Sequence, residues 1–402
     1  MKRITALFLV LVLFLGVSAL AEQKPEDDVL YLGVLEPLSG QHATGGQTEL
    51  DGIQFAHSQR PTVTVDGKEM KVELLIEDNH SSKKDSAQAV YRLIEGGAAV
   101  VLGSFSSALS LTAMPAFDSQ QIPAVAITAT NPNITDSSEY YFRMCYVDSL
   151  QGSLLAKYAL EQKYDTLAIV AELDDDFAQG VANIFKTTFE EGGGQMVLWK
   201  DYELSLPEDL DLTNLSIKDT ANAMTVDFTD IIASLKEAAP KAVFVPSSAK
   251  AGAIFLKQAK EAGLQAAILS ADTWDDPLIV EQAGEAANGA VISTFMNLSG
   301  EWGKDTLLFK ENFMAYLTSQ GKSENLLAAS AALGYDAYNV VLNAIEKAGT
   351  TEGPAVRDAL YQVEYEGVSG TVKFDENGNN AVDRVALMTF DQGAIQFIKQ
   401  LP

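Results

Sequence analysis

The residues of this chain best suited to hold a ligand are small and polar, and they stand just past short apolar runs. Ser106 and Ser107 follow a run ending at Leu102 and open a helix-like segment. Thr128, Ala129 and Thr130 follow a run ending at Ile127, and Asn131-Pro132 stops any continuation. Asp272 follows a run ending near Ser270, with Trp274 two residues on. Hydroxyls and the free N–H groups of a helix start suit a carboxylate, while an isolated Asp suits an ammonium. Together they describe a receptor for an α-amino acid. The same residue types also cap helices and turns, so spacing alone leaves both readings open.

Other chemistries fit less well. His42, His57 and His80 are the only histidines, none has a partner at metal-ligand spacing, and each reads as a surface or loop residue. No nucleophile elbow, phosphate loop or dinucleotide fingerprint is present, so neither a hydrolase nor a nucleotide enzyme is indicated, and no cofactor or metal is expected. Asp375-Glu376-Asn377-Gly378-Asn379-Asn380 begins like a calcium loop but has Asn380 at the sixth place and Ala386 at the twelfth, which favours a β-turn. Asp174-Asp175-Asp176 reads as a solvated helix start. Cys145 is the only cysteine, leaves no internal disulfide, and reads as a small buried hydrophobe.

The elements that must position these residues alternate in period. β-rich runs at Leu30 to Leu35, Met70 to Ile76, Ala98 to Leu102 and Ala124 to Ile127 are separated by stretches repeating every three to four residues. In Ser81 to Glu95 the spacing places Ala87, Val90, Tyr91 and Ile94 on one helical face. The rhythm restarts with runs at Leu167 to Ala171, Met196 to Trp199, Ala242 to Val245 and Ala266 to Leu269, and helical segments at about 175–191, 228–238 and 249–262. This predicts two α/β lobes with parallel sheets. Leu326 to Ala348 reads as one long helix, followed by a short helix near Pro354 to Tyr361 and small strands at Val372 to Phe374, Val385 to Phe390 and Ala394 to Ile398. The acidic, proline-broken stretch Asp201 to Asp227 reads as a surface excursion.

Composition sets the compartment and excludes some partners. Lys2 and Arg3 precede the apolar run Ala6 to Val17, then Ala19-Leu20-Ala21 and Glu22, which reads as a signal peptide over 1–21. The whole chain carries −27, and the mature chain would carry −29. Nothing supplies the clustered base that nucleic acid or an anionic membrane surface requires.

In order along the chain stand Leu32-Gly33-Val34-Leu35-Glu36-Pro37-Leu38-Ser39-Gly40; Asp51-Gly52; Glu77-Asp78; Val101-Leu102-Gly103 with Ser106-Ser107; Ala129-Thr130-Asn131-Pro132; Phe142-Arg143; Gln151-Gly152; Tyr335-Asp336-Ala337; and Phe374-Asp375-Glu376-Asn377-Gly378. In these the chain resembles the branched-chain amino-acid-binding proteins of bacterial ABC transporters, the leucine/isoleucine/valine-binding type of periplasmic solute receptor. The resemblance implies an α/β fold of two doubly wound lobes with a ligand cleft between them, the type I periplasmic binding protein fold. Residues 29–147 plus 296–362 would form lobe 1, and 148–295 plus 363–402 lobe 2, with crossings near 147, 295 and 362. It implies a periplasmic, non-enzymatic, monomeric receptor that captures an amino acid and delivers it to a membrane-embedded permease. The alternative is a sensor of amides or amino acids that uses the same cleft without transport.

Carried over by position, Ser107 with Ala129 and Thr130 would hold the α-carboxylate, while Thr128, Thr130 and Asp272 would hold the ammonium. Phe177 would wall the side-chain pocket, and Asp148 would lie at the first crossing as hinge or support. Gly45 and Ser248 stand where relatives often carry aromatic residues, and Tyr146 and Trp274 would refill the space. Asp272 replaces a longer acid common in that family.

Overall fold

The computed structural model describes residues 28–207, 210, 215–323, 327–382 and 384–402. The signal peptide expected over 1–21, some of the excursion and the start of the long helix at Leu326 lie outside the described residues. The first sheet holds β1 (Val29–Glu36), β2 (Thr62–Val65), β3 (Lys68–Asp78), β4 (Val100–Gly103), β5 (Ala124–Ala126) and β6 (Tyr141–Arg143), in the order β2-β3-β1-β4-β5-β6. The second holds β7 (Thr166–Glu172), β8 (Gln195–Tyr202), β9 (Ala242–Phe244), β10 (Ala267–Ser270) and β11 (Val291–Thr294). It continues through β14 (Val385–Asp391) and β15 (Ala394–Leu401), in the order β15-β14-β11-β10-β9-β7-β8. A small hairpin, β12 (Tyr365–Gly367) with β13 (Gly370–Val372), lies on the path into β14.

Each sheet has a parallel centre with the same winding. In the first, β3, β1, β4, β5 and β6 run parallel and β2 pairs antiparallel at the edge. In the second, β8, β7, β9, β10 and β11 run parallel, and β14 and β15 close the edge antiparallel. In each, the first strand lies between the second and the third of the parallel set, so a switch point falls beside it, β1 with β4 in one sheet and β7 with β9 in the other. Open α/β sheets bind ligands past the carboxyl ends of strands at such a point. The buried central strands read as continuous apolar runs because helices cover both faces.

Two helices set how the first sheet is covered. Ala43–Gln59 packs along Ala329–Ala348, and glycine is needed where they meet. A Cβ built on Gly52 would lie 2.0 Å from the Ala331 carbonyl oxygen, and one on Gly334 2.5 Å from that of Glu49. The stripe on the long helix is buried as its spacing predicts, through Ala331, Gly334, Tyr338, Val341, Leu342 and Ile345. The face expected on the earlier helix is out of phase. Lys83–Glu95 buries Ser86, Ala89, Val90 and Leu93, and Tyr91 is exposed. Ala and Ser line the seam here, and a periodicity argument weighted to large side chains passes over them.

Candidate functional site

The carboxyl ends of the two sheets face one another, and the residues past them meet in one cavity. Its first wall is His42, Phe105, Ser106, Ser107 and Thr128; its second is Asp175, Phe177, Asp272 and Thr273. The lobes are closed on it. Gly40 N–H donates to Asn222 Oδ1 at 2.8 Å, Gln41 Nε2 to Glu172 Oε1 at 3.2 Å, and Asn131 Nδ2 to the Asp176 carbonyl at 3.2 Å. Lys83 pairs with Asp176 at 2.8 Å. About 10 Å³ remains inside, the room of a single water. An amino-acid headgroup therefore enters only as the lobes separate.

On the first wall, Ser107 begins the helix Ser107–Gln120, and its Oγ accepts the Asn131 N–H at 3.2 Å. Its own hydroxyl hydrogen is left for a ligand, beside free N–H groups of the helix's first turn. The Thr128 hydroxyl is committed to Glu49 Oε1. The Ala129 carbonyl accepts Arg143 Nη1 at 3.0 Å, and the Thr130 carbonyl accepts Asp148 N–H at 2.9 Å, so the loop presents side chains and N–H groups rather than these carbonyls. Arg143 is fully buried and also reaches the Pro132 carbonyl, Thr135 Oγ1 and Asn379 Oδ1. It splints residues 129–135 and ties them to the Asp375–Asn380 turn, which forms as expected with Gly378 at φ +82°.

On the second wall, Asp272 starts a one-turn 3-10 helix after β10 and has one carboxyl oxygen with no donor. Burial, then the nearby Asp148 charge, raises its pKa well above the carboxylate range. Asp148 is itself held near 6 by burial; Gln151 Nε2 donates to its Oδ1 at 2.9 Å, and Ser293 Oγ donates to Gln151 Oε1 at 3.0 Å. Asp148 thus supports the site from behind. Phe177 lies 4% exposed and lines the cavity. Its N–H donates to Asp175 Oδ1, so Asp175 caps the helix Asp176–Glu191.

Several placements differ from the sequence reading. Trp274 does not reach the cavity; it is fully buried in the second lobe's core, its Nε1 donating to Ser247 Oγ and its ring against Gly252. Ser248 caps Ala249–Glu261 by accepting the Ala251 N–H, and does not line the cavity. The space beside Gly45 is filled by Phe105, since a Cβ on Gly45 would meet that ring at 2.3 Å. Tyr146 packs at a tilt against Phe295, ring centroids 4.8 Å apart, and does not line the cavity. His42 is no surface residue: it is 7% exposed, and burial holds it near pKa 4, hence neutral. Asp175 is not solvated but buried, and burial raises it to about 6. Cys145 is buried as expected.

The sequence reading also missed a buried acid pair behind Thr128. Glu36 ends β1 and Glu49 lies on the helix opposite; both are fully buried. Glu36 Oε2 accepts Phe105 N–H at 2.9 Å, Glu49 Oε1 accepts Thr128, and the two carboxyls are partners of each other. Their other oxygens have no donor from the rest of the protein, so a proton shared between the carboxyls is what satisfies both. Burial raises Glu36 well above its ordinary value and Glu49 to about 7. Glu36 stood inside a family-like stretch, but nothing local marks Glu49 as its partner.

A sequence profile described as periplasmic binding protein matches residues 29–394. The leucine-, isoleucine-, valine-, threonine-, and alanine-binding protein of Pseudomonas aeruginosa is 23% identical over 380 residues, 94% of this chain and 93% of that protein. A leucine-binding protein of Thermotoga maritima superposes with a TM-score of 0.79 at 27% identity, over 92% of this chain and 98% of that one. A solute-binding protein of an ABC transporter from Rhodopseudomonas palustris, in complex with 3,4-dihydroxybenzoic acid, gives 0.77 at 21%, over 93% and 98%.

Proposed function

The chain belongs to the periplasmic binding protein family, and from that premise we propose that it captures an α-amino acid, branched-chain or related, and delivers it to an ABC transporter permease. The family is one of extracytoplasmic solute receptors and not of enzymes. Asp272 carries the reading: a buried carboxylate with an unpaired oxygen faces Ser107 and a helix N-terminus across a closed cleft. An ammonium pairs with the first and a carboxylate with the second. A benzoate, the kind of ligand named for the Rhodopseudomonas protein, has no cation to pair with Asp272. The named ligands of the Pseudomonas and Thermotoga proteins support the amino-acid class.

Delivery requires the lobes to open. Because ligand would touch both walls, it favours a form closed around it, with the walls farther apart than they stand here, and shifts the hinge equilibrium toward that form. The hinge is assigned to crossings near 147, 295 and 362, with 29–147 and 296–362 moving as one lobe and 148–295 and 363–402 as the other. The receptor is a monomer released after Ala21 on this reading. A thermal-shift screen of the twenty amino acids, their amides and small organic acids tests it, since a ligand specific to the native state raises stability with the logarithm of its concentration over Kd. At least one α-amino acid should raise Tm in the wild type and not in Asp272→Ala. A shift given only by acids lacking an amine would overturn the assignment.

A further inference from the structure

Beyond the closed chamber the cleft does not end. Two larger chambers continue from it, of about 160 and 240 Å³. The first shares His42, Ser106 and Asp175 with the inner cavity, and the second shares Gln41, Ser81 and Glu172 with the first. The excursion roofs the outer one through Ala221 and Met224, while Asn222 of the same helix accepts the Gly40 N–H. Part of the expected excursion is therefore a short helix, Ile217–Ala223, set against the outer chamber, and the Ser205–Thr225 bridge joins the ends of the excursion.

Four acidic residues are among the polar groups lining these chambers. Asp175 and Glu172 are 4% and 7% exposed, and each has one carboxyl oxygen without a donor. Asp174 lines both chambers and Glu203 the outer one. The cation facing them, Lys83, is paired with Asp176; the His80 ring is paired with Asp78 and Ser39, and His42 is neutral. Among the described residues no set of carboxylates and imidazoles converges as a metal site does. Two buried carboxyl oxygens thus have no hydrogen-bond donor, and the nearby Lys83 is engaged with Asp176. Carboxyls in such surroundings are costly to ionise alone and gain most from a desolvated cationic nitrogen.

We propose that this acidic annex receives a cationic nitrogen at the far end of the ligand's side chain, so that the receptor's preferred substrates are basic α-amino acids of the lysine, ornithine and arginine kind. The inference rests on the amino-acid reading above, which places the α-ammonium at Asp272 and the α-carboxylate at Ser107. Asp175 stands between the head site and the annex, and Glu172 holds the outer position.

Titration calorimetry with lysine, ornithine, arginine, glutamine and leucine tests it on the wild type, Glu172→Gln and Asp175→Asn. The second variant keeps an oxygen to cap its helix. At least one basic amino acid should bind tenfold or more tighter than leucine, and that preference should shrink at least fivefold in both variants. Leucine binding as tightly as the basic amino acids, or a preference unmoved by both variants, overturns the annex while leaving the amino-acid reading standing. Glutamine matching them would show that an uncharged N–H donor suffices, which also overturns it. Failure of every amino acid to bind wild-type protein would bring down the amino-acid reading and the annex with it.

Discussion

Replacing Glu49 by Gln should flatten the dependence of folding stability on pH. Glu49 is fully buried, accepts the Thr128 hydroxyl and shares a proton with Glu36; burial raises its pKa from 4.5 to about 7. The folded protein therefore keeps a proton that the unfolded chain releases above about pH 4.5. The stability so gained is complete below that pH and is lost as pH rises through about 7. At about 1.4 kcal/mol per pH unit, this one carboxyl accounts for about 3 kcal/mol between pH 4.5 and 8. Gln keeps the acceptor for Thr128 and does not titrate, so the loss through about pH 7 disappears with it. Asp148, Glu172 and Asp175, raised to about 6, 8 and 6, tilt stability the same way in both proteins and cancel in the difference. Urea unfolding followed by circular dichroism at pH 4.5 and 8 gives the four free energies required. The wild type should lose about 3 kcal/mol more than Glu49→Gln. Equal losses would refute the raised pKa of Glu49.

Asp272→Ala should weaken an amine-bearing ligand by about 2–5 kcal/mol in calorimetry, the cost of leaving a buried ammonium unpaired; unchanged affinity would remove Asp272 from the site. Gly52→Ala should destabilise the fold by about 1–3 kcal/mol, because its methyl would press on the Ala331 carbonyl and force apart a helix pair, one member of which carries Glu49. Denaturation midpoints check this, and a neutral effect would mean that the helices slide apart freely.

How legible this was depended on the range of the interactions. The family-like segments and the alternating periods foretold the two-sheet architecture, and Ser107, Thr128 and Asp272 could be singled out because each follows the strand that places it beside the cavity. Strand ends are local features, and the hydroxyls and carboxylate at Ser107, Thr128 and Asp272 lie within a few residues of the last buried position, whereas Phe177 came only from the family resemblance. The phase of Lys83–Glu95 was misread because the small residues Ser86 and Ala89 line its packing seam.

What the tertiary structure alone decided were choices between elements far apart in the chain. Whether Trp274 faced the cleft or the core depended on Gly252 and Ser247 making room and a partner for it. The aromatic missing at Gly45 was replaced from Phe105, 60 positions away. His42 became neutral, and Glu36 and Glu49 came to hold protons above the ordinary carboxylate range, because elements distant in sequence removed water from them. Solvent exclusion of that kind belongs to no segment by itself; it exists only once the segments are packed.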